Sequence, residues 1–370
     1  MKKASLTLIT LASILILLIF CQRQNEPIKI GLAVNLSGPG GSAGEHIRDG
    51  AMQAVEDINA KGGVKGRPLL LLVRDDLNTA AGVLQADEAL MEEGVPVIIG
   101  HSQSTNTLTA YPLVTSRNTL LMTAYTSTKQ LSGRDDLFVR TAVESNLYGL
   151  KTAALLKNKG MKSVAFLIDD VNAVFGNDWL AETRRHFQGA LSEVHFNSKE
   201  EPHWPKIITE LLASDPEAVI LMTSSSISAV AAQFVRQQNQ AVLLIASLWS
   251  QSPELVTVGG KSVEGMTIIT FIPSENTRPD YLAFSQRLEA NFNKKATPRS
   301  ARAHELITIL ADAMGRCKII NALELKAALL AGEYESILGG VKFDRFGDTV
   351  RPVYEERIIN GVFKTIGEIQ

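Results

Sequence analysis

The chain has little of what builds covalent or metal-held frameworks. Its 370 residues include two cysteines, Cys21 and Cys317, too few for a disulfide framework. Cys317 follows a helix-period segment over 301–315 and reads as a small buried apolar residue. There are six histidines, and His195 and His203 fall in a loop with no Cys or His cluster at ligand spacing beside them, so neither a metal nor a cofactor is expected. A formal net charge of −2 provides no basic stripe, which argues against a nucleic-acid partner. No short-period repeat appears, and no Pro/Ser linker divides the chain. Only one apolar run approaches membrane length, and its roughly fifteen residues fall short of the ~20 that span a bilayer.

That run, Leu6 to Phe20, follows Lys2 and Lys3 and precedes Cys21 and the polar segment QRQNEP. These are the parts of an export signal over residues 1–21, which places the body of the protein outside the cytoplasm. Leu-Ile-Phe-Cys is similar to a bacterial lipoprotein box. That similarity implies a lipid on Cys21 and a membrane-anchored protein, although Phe20 stands where such boxes carry Gly, Ala or Ser.

What remains is long enough for two domains at ~100–200 residues each. Apolar runs of strand length recur at 28–34, 69–73, 95–99, 119–123, 163–168, 218–222 and 241–246. Helix-period segments lie between them at 45–60, 79–93, 105–116, 147–159, 176–189, 203–213 and 226–239. Val/Ile/Leu runs alternating with amphipathic segments predict an α/β fold of parallel sheets covered on both faces. Asn59 to Gly66 reads as a helix end capped by glycines, with Arg67-Pro68 leading into the next strand. The loops after the strands, LSGPGGSAG at 36–44 and GHSQS at 100–104, are rich in Gly and Ser and open helices. Free N–H groups and the helix dipole there suit a small polar or anionic ligand.

The order of Ser37-Gly38-Pro39, Gly44, Gly50, Asn59-Ala60-x-Gly62-Gly63-Val64-x-Gly66, Asp75-Asp76, Ile99-Gly100, Ser104, Glu264-Gly265-Met266 and Phe343-Asp344-x-x-Gly347-Asp348 resembles the type I periplasmic binding proteins. The branch is that of the branched-chain amino-acid (Leu/Ile/Val) receptors of ABC importers, and the resemblance runs from about residue 28 to 363. It implies two Rossmann-like lobes joined by a three-segment hinge, with crossings near 144–147, 272–276 and 346–350. Lobe 1 would hold 28–145 and 275–347, and lobe 2 would hold 146–274 and 348–370. The implied function is an extracytoplasmic receptor that closes over a small polar or carboxylate ligand and delivers it to a membrane permease, with no chemistry of its own. Asp75-Asp76 and Phe343-Asp344 then read as structural turns.

The resemblance also assigns residues to the ligand. Ser104, at a helix start, corresponds to a serine that holds the ligand's carboxylate, and Ser127 in the loop Tyr125-Thr126-Ser127-Thr128 falls where a second such hydroxyl stands. Ser102 and Tyr125 share these loops. Across the cleft, Phe175-Gly176 takes the place of a Tyr-Gly pair, and Ser225, after strand 218–222, lines the same space. The principal departure is Trp249. Amino-acid receptors of this branch carry an acid there for the ligand's ammonium group, and a buried ammonium without its charged partner costs on the order of a few kcal/mol. Asp169, Asp170 and Glu144 are the acids that could substitute. Ala43 enlarges the pocket, and His46 and His101 are expected to donate to an anionic ligand. The balance points to a carboxylate or amide with an apolar body.

Three rivals are weighed against this reading. Gly100-His101-Ser102-Gln103-Ser104 approaches the Gly-x-Ser-x-Gly nucleophile elbow of serine esterases in the correct strand–helix context. Ser102 would be the nucleophile and His186, His195, His203 or His304 the base, but the final glycine is Ser104. Gly38-x-Gly40-x-x-Ala43 matches a relaxed dinucleotide fingerprint, against which stand Pro39 and the export signal. The same two-lobed fold could also serve a ligand sensor or envelope regulatory lipoprotein, since fold alone does not fix function.

Overall fold

The computed structural model describes residues 26–38 and 40–370. The export signal and the lipidation site at Cys21 lie outside the described residues, as does Pro39. In chain order the elements begin β1 (Ile28–Val34), α1 (Gly41–Ala60), β2 (Leu69–Asp75), α2 (Ala80–Glu92), β3 (Val97–Ile99), α3 (Ser104–Ser116), β4 (Leu120–Thr123) and β5 (Phe138–Arg140). There follow α4 (Ser145–Asn158), β6 (Ser163–Asp169), α5 (Ala173–His186), β7 (Ala190–Phe196), α6 (Trp204–Leu211), β8 (Ala218–Met222), α7 (Ser225–Gln238), β9 (Leu243–Ser247), α8 (Pro253–Gly259) and β10 (Thr267–Thr270). The chain ends with α9 (Pro279–Phe292), α10 (Pro298–Arg316), α11 (Ala322–Ala331), the hairpin β11 (Glu333–Ser336) and β12 (Gly339–Lys342), and the strands β13 (Tyr354–Ile359) and β14 (Val362–Glu368).

The strands form two separate sheets. The first is five-stranded and parallel throughout, in the order β2-β1-β3-β4-β5. Strands β1, β3, β4 and β5 are almost fully buried because helices cover both faces, as continuous apolar runs require, whereas the edge strand β2 is half-buried. The second has the order β14-β13-β10-β9-β8-β6-β7, parallel from β10 to β7 and antiparallel where β13 and β14 join. The two-lobed α/β architecture expected of the sequence is thus the one found.

Each sheet has its own core. One unites Ile30, Leu32, Ile99 and Met122 with Leu306, Leu310, Leu325 and Tyr334, so α10, α11 and the β11–β12 hairpin belong to the first lobe although they follow the second in sequence. Another unites Phe166, Ile220, Ile245 and Ile269 with Tyr148 and Trp179, whose rings stack 4.6 Å apart. Cys317 caps the C-terminus of α10, buried, with its thiol donating to the Ala313 carbonyl at 3.3 Å.

The chain passes between lobes after β5, after β10 and before β13. Buried Arg140, at the first passage, donates to the Thr128 carbonyl at 2.7 Å and pairs with Glu144 at 2.9 Å and with Asp348 at 2.7 Å, so it ties the first passage to the third. At the second passage, the Ser274 hydroxyl and the Gln251 amide both donate to buried Glu356, at 2.9 and 2.7 Å. In the first lobe the two acidic motifs act as turns. Asp75 accepts from the Leu36 and Leu77 amides, and Asp344 from those of Phe346, Gly347 and Asp348.

Candidate functional site

In parallel sheets every strand ends where the next helix begins, so the C-terminal edges of both sheets present helix N-termini. Here the two edges face each other. A cleft of about 350 Å³ lies between them, bordered by residues from the N-terminal ends of α1, α3, α7, α8 and α10, among them Ser42, Ser102, Gln103, Ser225, Glu254 and Arg299. A smaller recess continues inward between Ser102, Tyr125, Asn172, Phe175, Trp249, Arg299 and Arg302. Unpaired N–H groups and positive dipole ends thus converge on one space.

Five of the residues singled out in the sequence meet there: Ser102, Tyr125, Phe175, Ser225 and Trp249. Phe175 stands edge-on to both Trp179 and Trp249, at 5.5 and 6.4 Å, which builds the aromatic wall. Ser225 accepts from the Ser252 hydroxyl at 2.7 Å. Ala43 borders the cleft. Ser104 and Ser127 are placed together but do not border it: the Ser127 amide donates to the Ser104 hydroxyl at 3.2 Å, and both side chains are buried. Ser104 is the first residue of α3, after an N-cap at Gln103.

The histidine expectation divides. His46 borders the outer mouth of the cleft, where burial, then the nearby Lys294 and Arg299, hold its pKa below the ordinary value and keep it neutral. His101 requires a correction. Its ring points into the first lobe, wholly buried, with Nδ1 2.7 Å from Asp76 and Nε2 3.3 Å from Asp87. Burial alone would lower its pKa, but those two carboxylates overcome it and raise the value to about 9. His101 is therefore a structural cation and offers nothing to a ligand. Among the described residues none of the candidate bases of the esterase reading borders the cleft beside Ser102: His186 pairs with Glu182, His195 with Asp170 and His304 with Asp57, and His203 is the N-cap of α6.

Two residues that define the site were not singled out in the sequence. Arg299 and Arg302 lie one turn apart at the start of α10 and reach the cleft from the first lobe. Arg299 donates to the Trp249 carbonyl of the other lobe at 2.6 Å, and its own carbonyl accepts from the Tyr125 hydroxyl at 2.8 Å. Arg302 donates to the Ala124 carbonyl and lies over the rings of Tyr125 and Phe271, at 4.5 and 5.1 Å. Its buried Nε has no hydrogen-bond partner. Among the described residues neither guanidinium has a carboxylate at ion-pair distance. Burial, then the charge of Arg302, lower the Arg299 pKa to about 10, which leaves it fully charged near neutral pH. A visible signal existed: two arginines three apart in the first turn of a helix opened by Thr297-Pro298.

Of the acids that could replace the missing one at Trp249, only Asp169 borders the cleft. Asp170 pairs with His195 at 2.8 Å, and Glu144 with Arg140 at 2.9 Å. Among the described residues no group of three or more His, Cys, Asp or Glu is placed to hold a metal, and no helix is long and apolar enough to cross a membrane.

Two parallel-sheet lobes, crossed three times by the chain and facing each other with helix N-termini, define the class of hinged solute receptors. A family model for the periplasmic binding proteins matches residues 27–358, and the chain belongs to that family, in its branched-chain amino-acid receptor group. It is 22% identical over 371 residues to the leucine-specific-binding protein of Salmonella typhimurium, with 94% of each chain covered. The solved leucine binding protein of Thermotoga maritima matches with a TM-score of 0.84 and 20% identity, over 93% of this chain and 99% of that one. A solute binding protein of an ABC transporter from R. palustris, solved in complex with benzoate, matches with a TM-score of 0.82 and 16% identity, over 93% and 96%.

Proposed function

We propose that this chain is the extracytoplasmic receptor of an ABC importer and that its ligand is an organic carboxylate with an apolar body. The observation that carries the ligand class is the pair Arg299 and Arg302, cations without carboxylate partners, set against the Phe175–Trp249 wall. A buried unpaired cation is costly, and a ligand carboxylate offsets that cost, while the aromatic wall takes the apolar body. Ser102 and Ser225 supply hydroxyls from opposite lobes. The passages after β5, after β10 and before β13 act as the hinge, and closure delivers the loaded receptor to a membrane permease. A lipid on Cys21 would keep the receptor at the membrane surface.

The test is calorimetry on the purified protein with benzoate, 4-methylpentanoate, leucine and leucinamide. The two simple carboxylates are expected to bind and leucinamide, which lacks the anion, is not. Arg299→Gln should weaken carboxylate binding by about 10–100-fold, the worth of a charge-assisted hydrogen bond. Binding of leucinamide in place of the acids, or full affinity in Arg299→Gln, would overturn the ligand class.

A further inference from the structure

The end of the first lobe opposite the cleft carries a surface of its own. α1 starts at the cleft and, with 20 residues, runs about 30 Å to Ala60. α10 packs against α1 at Gly50 and Ser300, and it too starts at the cleft and ends, at Arg316, on the far side. β1 begins on that side, so the described chain enters the fold at this base, at Glu26. Hydrogen bonds join the pieces: Arg67 Nε donates to the Glu26 carbonyl at 2.8 Å, and the Lys65 ammonium donates to the Cys317 carbonyl.

Just beyond Cys317 stand Ile319 and Leu323, 65% and 68% exposed. Glu324 holds their segments together, since its carboxylate accepts from the Lys318 and Ile319 amides at 2.7 and 3.0 Å and so fixes the first turn of α11 against them. Apolar side chains scattered singly over a surface are ordinary, but these two are neighbours set among cations. In segments 26–27, 61–68 and 316–324, Lys61, Lys65, Arg67 and Lys318 stand against Glu26 and Glu324, while Arg316 pairs with Asp312. Among the described residues none of those four cations has a carboxylate at ion-pair distance. This patch is therefore positive on a chain whose formal net charge is −2. Anionic headgroups attract such cations, and exposed apolar side chains between them enter the lipid interface.

Cys21 lies five residues before Glu26, a reach of at most about 18 Å. That is shorter than the ~30 Å from base to cleft along α1, so a lipid on Cys21 brings the base, and not the cleft end, to the bilayer. We infer that the base of the first lobe is a membrane-contact surface for anionic phospholipid, with Ile319 and Leu323 in the interface and Lys61, Lys65 and Lys318 at the headgroups. The inference rests on the lipid-anchored reading above and adds a second attachment. Seated this way, the receptor holds its cleft away from the bilayer, toward the solution from which ligand arrives.

The test uses the lipidated protein in vesicles, with a nitrobenzoxadiazole label on Leu323→Cys or, as a control on α6 of the second lobe, on Lys206→Cys; buried Cys317 is protected from labelling. In vesicles containing phosphatidylglycerol, a quencher carried by the lipid is expected to diminish the fluorescence at 323 and not at 206. Lys61→Gln together with Lys318→Gln should move the contact equilibrium about 30-fold away from the bilayer, the equivalent of ~1 kcal/mol per cation. Vesicles of phosphatidylcholine alone should weaken the contact in the same direction. Absence of quenching at 323 in protein that floats with the vesicles, or equal quenching at both positions, would overturn the surface and leave the anchor standing. A response at 323 that needs no vesicles and grows with protein concentration would assign the face to a second copy of the chain instead. Protein that does not float with the vesicles has no tether, and that result would remove anchor and surface together.

Discussion

At the scale of single residues, position near a cleft does not make a ligand contact. His101 sits one residue from Ser102, yet the two side chains serve different spaces. The histidine is clamped between Asp76 and Asp87 in the first-lobe core. Its unfolded pKa of about 6.5 rises to about 9 in the fold. The sign follows: below pH ~6.5 both states are protonated and the clamp contributes fully, and the contribution is lost as pH rises through 9. The loss is on the order of 3 kcal/mol. Urea midpoints should therefore fall between pH 6 and pH 9.5 in the unaltered protein, and much less in His101→Gln; parallel slopes would exclude the clamp. The five residues that do meet in the cleft were legible because loops at the C-terminal ends of parallel strands must face one way. Arg299 and Arg302 were not, because local pattern gives their spacing but not which lobe their helix returns to.

At the scale of elements, long buried stretches were legible and short or polar ones were not. The run 218–222 coincides with β8. The edge strand β7 escaped because its pattern, ALSEVHF, mixes polar and apolar residues, half of it open to solvent. The β13–β14 hairpin escaped as well, although its turn, Asn360-Gly361, has both residues at positive φ, the usual chemistry of a tight hairpin. Helix packing sets the position of the arginines. Gly50 of α1 lies against α10 so closely that a Cβ there would meet the Ser300 carbonyl oxygen at 2.1 Å. Gly50→Ala should force α10 away, cost about 1–3 kcal/mol as overpacking does, and weaken carboxylate binding because Arg299 adjoins Ser300. Gly315, in the same helix, has open space where its Cβ would be. Gly315→Ala should leave binding unchanged and gain about 0.5–1 kcal/mol from helix propensity. Urea denaturation of the pair decides it: if both variants behave alike, close packing at Gly50 does not position the site.

At the scale of the whole molecule, the lobes touch through few side chains. Besides Arg299 to the Trp249 carbonyl, the Thr128 hydroxyl donates to Asp178 at 2.6 Å, and Lys199 reaches the Asn78 carbonyl from across the cleft. That each lobe is built from separated stretches of chain was not legible from local periodicity, because nothing in the helix returning at residue 298 marks which sheet it will cover. Lys199 itself does not line the cleft, although its acceptor Asn78 and the preceding Ser198 do, and a bridge between lobes of this kind should favour the closed state. Lys199→Ala should raise the dissociation constant for benzoate by about 2–5-fold, the worth of one half-buried hydrogen bond. The change should appear as faster release, since affinity differences within one interface lie mostly in the off-rate. The ligand-free melting temperature should not move, because neither core includes the lysine. An unchanged dissociation constant would mean that closure does not depend on this bridge; an equal loss of ligand-free stability would mean that Lys199 supports its own lobe. Only the predicted split, in which affinity changes and stability does not, fits a receptor whose ligand is held by the equilibrium between its lobes.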